Sequence, residues 1–215
     1  MTIADGRAAK PVNWLKATFF ILLFLMGLIV LWVDERFVFR PSDPEWTHIA
    51  PFKWLLLFHA LFAIPALLIG PLQFSERLRR NVKLHHTLGW IYSVAIFITA
   101  PMALYLGVTY EKPLVQYQQI FQAGGWFLTT LMAFIAGYNR NIPLHKQWMA
   151  RSYAFSFIFI ASRVTDAWPG LLNYGDERTA ASALWTLVVL ALIVPDLLMS
   201  GREFFKNRRP RPKSA

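Results

Sequence analysis

Two short stretches of the chain set histidine, a common metal ligand and proton carrier, in matching surroundings. Arg80-Asn81-Val82-Lys83-Leu84-His85-His86 recurs sixty residues later as Arg140-Asn141-Ile142-Pro143-Leu144-His145-Lys146. Parallel internal repeats in membrane proteins are related by an axis along the membrane normal. Such an axis would bring His85 and His145 to one depth, facing one another. Two facing imidazoles can hold haem iron as axial ligands, so His85 and His145 are the candidate metal ligands. Haem b is the candidate cofactor and a quinone the alternative. Gln73, Tyr92 and Arg151 are the neighbouring groups expected to contact propionates or carbonyls. The plainer reading stays open beside this one. A histidine at headgroup level among Arg and Lys also serves as an interfacial anchor, and His86 fits that role best.

A second layer contains His59, Arg163 and Asp166. Ionisable groups within membrane spans are costly and are functional candidates for that reason. Arg163 and Asp166 stand three apart and can pair along one helix face, each offsetting part of the other's desolvation. With His59 at similar depth they could instead hold a quinone carbonyl or a lipid headgroup, or pass a proton. His59, Ala63, Ala66, Gly70 and Gln73 follow helical spacing on one face, and His85, Gly89 and Tyr92 repeat the pattern. Small residues admit either a neighbouring helix or a flat cofactor. Four turns from His59 stands Gln73 rather than a second histidine, so a two-haem set of four ligands is absent. The chain has no cysteine, which excludes thiol chemistry and cysteine-ligated metal. No nucleotide loop, nucleophile elbow or metalloprotease helix is present.

The elements that must position these residues are helices in lipid. Of 215 residues, 56% are hydrophobic and 16% charged, against roughly half and a quarter in soluble domains. Mean hydropathy is +0.39. The excess is gathered into runs that match the roughly 20 apolar residues needed to cross a bilayer. The pattern predicts six spans, Trp14–Val33, Phe52–Phe74, His86–Val108, Gln119–Tyr138, Trp148–Trp168 and Ala180–Ser200, forming one all-α polytopic bundle over 1–215. The first reads as an uncleaved signal anchor. The repeat implies two pseudo-symmetric parallel hairpins with an outer helix at each end.

Sixteen Lys and Arg fall on the side of the N-tail, the second and fourth loops and the C-tail; five fall on the other. The positive-inside rule puts the richer side, and both termini, in the cytoplasm. The basic tail 201–215 is expected to rest on anionic headgroups. The net charge of +10 follows from this bias, and no nucleic-acid module accompanies it.

Three segments carry a resemblance: Gly70-Pro71-Leu72-Gln73-Phe74, then Leu84-His85-His86-Thr87-Leu88-Gly89-Trp90-Ile91-Tyr92, then His145-Lys146-Gln147-Trp148-Met149-Ala150-Arg151-Ser152-Tyr153-Ala154, with Arg163 beyond. Together they resemble a bacterial family of predicted membrane proteins, domain-of-unknown-function family 2306, from about Leu55 to Arg163. His86 departs from the pattern, which has arginine there. The resemblance implies a multi-span protein with functional weight on His59, Gln73, His85, His145, Arg151 and Arg163, and implies no activity. The histidine spacing leads to a redox-associated subunit holding haem b or a quinone near the cytoplasmic face. Two alternatives remain: an accessory or scaffold subunit of a larger membrane complex, and a proton or small-molecule transporter using His59, Arg163 and Asp166.

Overall fold

The computed structural model describes residues 14–33, 40–42, 46–166 and 177–206. Six long helices fill them: α1 (Trp14–Val33), α2 (Lys53–Gln73), α3 (Val82–Tyr110), α4 (Pro113–Tyr138), α5 (Ile142–Asp166) and α6 (Glu177–Lys206). Short turns at Trp46–Ile49 and Ala50–Phe52 lead into α2, and the one-turn helix Glu76–Arg80 joins α2 to α3. No strand occurs among the described residues. The all-α bundle is therefore as the apolar runs predict.

The number of crossings is a narrower finding. Among the described residues, four segments are long and apolar enough to cross a membrane: Trp46–Gln73, Val82–Tyr110, Pro113–Tyr138 and Ala181–Gly201. The expected first and fifth spans are helical but fall outside this set. Helix α5 carries Lys146, Arg151, Arg163 and three serines, a polar load that the other inner helices lack. Trp168 and most of the basic tail, 207–215, lie outside the described residues.

Helices α3 and α5 begin earlier than their apolar runs, at Val82 and Ile142. The cause is local. The Asn81 side chain accepts the Leu84 N–H at 3.1 Å, and Asn141 does the same for Leu144 at 3.3 Å. Asparagine at an N-cap satisfies one of the amides that a helix start leaves open. The repeated stretch is thus a helix start, and it fixes His85 and His145 in the first turn of their helices. Helix α4 ends on a left-handed residue, Arg140 at φ 56°, with the Asn141 N–H reaching back to the Ala136 carbonyl at 2.9 Å. That is a Schellman-type stop, a position usually held by glycine.

Consecutive helices pack side by side, and α2 also touches α5. Helices α2 to α5 therefore form a four-membered ring of two hairpins. Helix α6 lies on α4 and α5, and α1 on α2 and α5, with Met26 of α1 against Leu67 and Ile160. Within the ring, α3 and α5 are diagonal.

The interior inverts the soluble pattern. Ala66, Ala95, Ala100, Ala133 and Ala191 are buried, while Trp54, Trp90, Leu128, Leu197 and Leu198 face outward. Lipid is as apolar as leucine, so membrane helices associate through close packing of small residues and hydrogen bonds between helices. At Gly70 a Cβ would lie 2.1 Å from the Tyr153 ring, and at Gly125 one would lie 2.5 Å from Phe155. The small-residue face of α2 is thus filled by a side chain of α5 rather than by a flat cofactor.

The centre is held by hydroxyls. Tyr92 of α3, wholly buried, spans the diagonal to Ser152 at 2.8 Å and Ser156 at 3.3 Å of α5. From α4, Thr130 meets Ser152 at 2.8 Å and the Trp126 indole N–H donates to Ser156 at 2.9 Å. Interhelical hydrogen bonds in membranes average about 0.6 kcal/mol and reach roughly 1.7. Tyr92→Phe should therefore cost about 1 kcal/mol in detergent unfolding, keeping the ring's volume while removing the bridge. Tyr92→Ala should cost several times more, because a cavity is added. Equal stability of Tyr92→Phe and the parent would show that the bridge carries no load.

Candidate functional site

The inner layer gathers around the helix starts of the two hairpins. The His85 and His145 rings lie with centroids 6.5 Å apart at an interplanar angle of 88°. The fold therefore brings together the two residues that the repeat singles out. His145 is clamped: its Nδ1–H donates to the Ala133 carbonyl of α4 at 2.8 Å. A carbonyl only accepts, so the proton sits on Nδ1 and the neutral ring keeps its lone pair at Nε2. Gly137 permits this approach, since a Cβ there would stand 2.9 Å from that Nδ1. His86 is exposed, its ring 6.2 Å from that of His85.

The rest of the layer is short of partners. Gln73 Nε2, His85 Nδ1 and Trp148 Nε1 are buried with no hydrogen-bond partner among the described residues. Leaving one buried donor unsatisfied costs about 1–3 kcal/mol. The Gln73 carboxamide faces α3, with its Oε1 4.0 Å from where a Gly89 Cβ would be. Gly89 lies one turn beyond His85 on the same helix face.

Two residues expected in this layer are engaged elsewhere. Tyr92 stands seven residues beyond His85, about 10 Å further along α3, and its hydroxyl is committed to Ser152 and Ser156. The Arg151 guanidinium lies over the Trp148 ring at 4.6 Å and pairs with Asp196 of α6 at 2.5 Å. Contacts from Arg151 or Tyr92 to propionates or carbonyls would require breaking these bonds. Asp196 escapes a reading by spans because it directly follows Pro195 and lies close to the basic tail. The available signal is its position as a carboxylate inside the apolar run Ala181–Gly201.

In the outer layer His59 is engaged with Thr99. His59 Nδ1 lies 3.1 Å from the Thr99 carbonyl and 2.8 Å from Thr99 Oγ1, which itself donates to the His59 carbonyl at 3.0 Å. These bonds knit α2 to α3 in both directions. Arg163 stands over the Phe159 ring at 5.6 Å. The side chain of Asp166, and with it the expected Arg163–Asp166 pair, lies outside the described residues.

A ring of apolar helices with small residues inside, large ones outside and a polar layer at one end defines a polytopic helical membrane protein. The chain belongs to the family of predicted membrane proteins DUF2306, whose model matches residues 56–199. That match spans the hydroxyl core, both histidine hinges and the Arg151–Asp196 pair. No match to the chain was found among curated proteins or among solved structures.

A partly buried ion pair is more costly to halve than to remove, because the surviving charge is stranded. Arg151→Leu and Asp196→Leu should each destabilise the detergent-solubilised protein more than the double substitution does. Additive losses in that cycle would mean that the two side chains do not act as a pair.

Proposed function

We propose that the protein is a redox-associated membrane subunit whose inner layer binds haem b, with His85 and His145 as the axial ligands. One observation carries this reading: two imidazoles from diagonal helices meet edge to face with centroids 6.5 Å apart, and each has a ring nitrogen without a protein partner among the described residues. His145 also has the supporting bond that metal-ligating histidines use, its second nitrogen donating to a backbone carbonyl, which fixes ring and tautomer. The donor set is two neutral nitrogens, which suits haem iron. Among the described residues no group of three or more His, Asp or Glu side chains could hold a bare metal ion. Bound haem would supply one-electron chemistry at this layer. The chain's own part is to hold the rings in register through the Asn81 and Asn141 caps and the Ala133 carbonyl.

Purified protein expressed with ample haem should show a Soret band that shifts on dithionite reduction. His85→Ala and His145→Ala should each abolish the low-spin form. Gly137→Leu, which displaces His145 without removing it, should weaken haem retention. A wild-type protein with no Soret band under those conditions would end the haem reading.

The bonded state of the outer layer gives less support to transport through His59, since its Nδ1 and backbone carbonyl are both tied to Thr99. The accessory-subunit reading rests on outward-facing tryptophans and leucines, which lipid satisfies equally well. We further propose a bacterial inner-membrane location, from the family resemblance, with both termini in the cytoplasm, from the Lys and Arg bias. A C-terminal green-fluorescent fusion should fluoresce and a C-terminal alkaline phosphatase fusion should be inactive; the opposite pair of results would reverse the orientation.

A further inference from the structure

The short helix Glu76–Arg80, between α2 and α3, has no counterpart in the second hinge, where α4 runs to Tyr138 and Asn139, Arg140 and Asn141 alone separate it from α5. The insertion brings Arg77, Arg79 and Arg80, and Lys83 follows in the first turn of α3. The aligned positions of the second hinge hold one cation, Arg140, with Gly137, Asn139 and Pro143 in place of Arg77, Arg79 and Lys83. Glu76 is the one acidic residue of the short helix, and none of the four cations is ion-paired among the described residues. Arg77, Arg80 and Lys83 are exposed, whereas Arg79 is half-buried. Like charges one turn apart on a helix repel, and a helix this short is marginal by itself. The turn is therefore built against its own charge, which an anion at Arg77, Arg80 and Lys83 would neutralise.

The surface of α3 next to this cluster narrows the choice of anion. Lys83, Thr87, Trp90 and Val94 are all exposed, and their spacing puts them on one helix face. Trp90 meets Phe134 of α4 edge to face at 4.9 Å, so the strip borders the outer groove between α3 and α4. A cationic end above an apolar strip is complementary to an amphiphile with an anionic head. Free phosphate matches the cations and not the strip.

We infer that the α2–α3 hinge binds one anionic phospholipid, with its phosphodiester held by Arg77, Arg80 and Lys83 and an acyl chain lying along Thr87, Trp90 and Val94. Basic clusters beside membrane helices recognise such headgroups. The site lies on the outside of the hinge and does not depend on the haem reading.

Full-length protein, delipidated in detergent, is titrated with dioleoylphosphatidylglycerol, and bound lipids are counted by native mass spectrometry. Wild type should take up one lipid well before any others. Near an anionic head each Lys or Arg contributes about fivefold, so Arg77→Gln, Arg80→Gln and Lys83→Gln should each weaken that first site by this factor, and the triple substitution by roughly a hundredfold. Arg140→Gln combined with Lys146→Gln, which strips the other hinge, should leave the first site unchanged. Inorganic phosphate and glycerophosphoglycerol at the lipid's concentration should not displace the bound lipid. Thermal melts establish that each variant is folded; if the triple variant is not, the three single variants decide. Unchanged affinity in the folded variants overturns the proposal. Equal losses in the other-hinge variant overturn it in favour of a diffuse basic surface, and equal uptake of dioleoylphosphatidylcholine removes the requirement for an anion. Displacement by inorganic phosphate overturns the lipid assignment in favour of a free-anion site.

Discussion

The span between α3 and α5 governs the rest of the molecule. These helices are diagonal in the four-helix ring, so their backbones do not pack against each other, and only long side chains bridge them. Tyr92 does this at the centre, reaching Ser152 and Ser156 while Thr130 and Trp126 close the network from α4. In lipid there is no hydrophobic gain from bringing apolar helices together, so hydrogen-bonded bridges and glycine-to-aromatic contacts set the separation. Once Tyr92 fixes the diagonal, the distance between the first turns of α3 and α5 is fixed with it. That distance is the spacing of His85 and His145.

The two polar layers then differ in a telling way. At the outer layer, His59 and Thr99 satisfy each other in both directions, and the result is a strut between neighbouring helices. At the inner layer Gln73 Nε2, His85 Nδ1 and Trp148 Nε1, on three different helices, are buried with no partner among the described residues. Gln118, near the start of α4 at the opposite end, likewise keeps a buried Oε1 with no partner among the described residues, so open buried groups occur at both ends of the bundle. The inner groups lie where the chain also brings two imidazoles together edge to face. The outer strut and the central hydroxyls join neighbouring and diagonal helices.

Much of this was legible in the residues. The apolar runs locate the long helices, and the Asn-x-x-Leu-His repeat points to the pair that the fold brings together, because an N-cap and the residue four beyond it are local matters. The helix starts were misplaced for the same local reason: Asn81 and Asn141 begin the helices ahead of the apolar run, in polar sequence. What the sequence hid is non-local. Ser152, Ser156 and Thr130 are ordinary residues for a membrane helix, and nothing in their spacing says that a tyrosine sixty residues away will meet them. Arg151 looked available because its partner, Asp196, lies forty-five residues on. The small stripe on α2 allowed either a helix or a cofactor, and only the Tyr153 ring against Gly70 decides between them.

The site itself arises where the internal symmetry fails. Both hinges share the asparagine cap, and both histidines follow it by four residues, so the copies agree up to the imidazole. They differ in the helix before. In the second copy α4 runs unbroken to Tyr138, and the carbonyl twelve residues before His145, that of Ala133, accepts its Nδ1–H. In the first copy the residue twelve before His85 is Gln73, and there α2 ends, with Pro71 in its last turn and the short helix Glu76–Arg80 inserted before the hinge. The helix end removes the carbonyl acceptor from His85, and it leaves the Gln73 amide turned towards Gly89 instead of towards a neighbour in its own layer. One early helix stop thus produces both open groups, His85 Nδ1 and Gln73 Nε2, on the same side of the bundle. A symmetric pair of clamped histidines would be a second strut like His59 and Thr99; here only His145 has its Nδ1 held by a carbonyl, and His85 Nδ1 has no partner among the described residues.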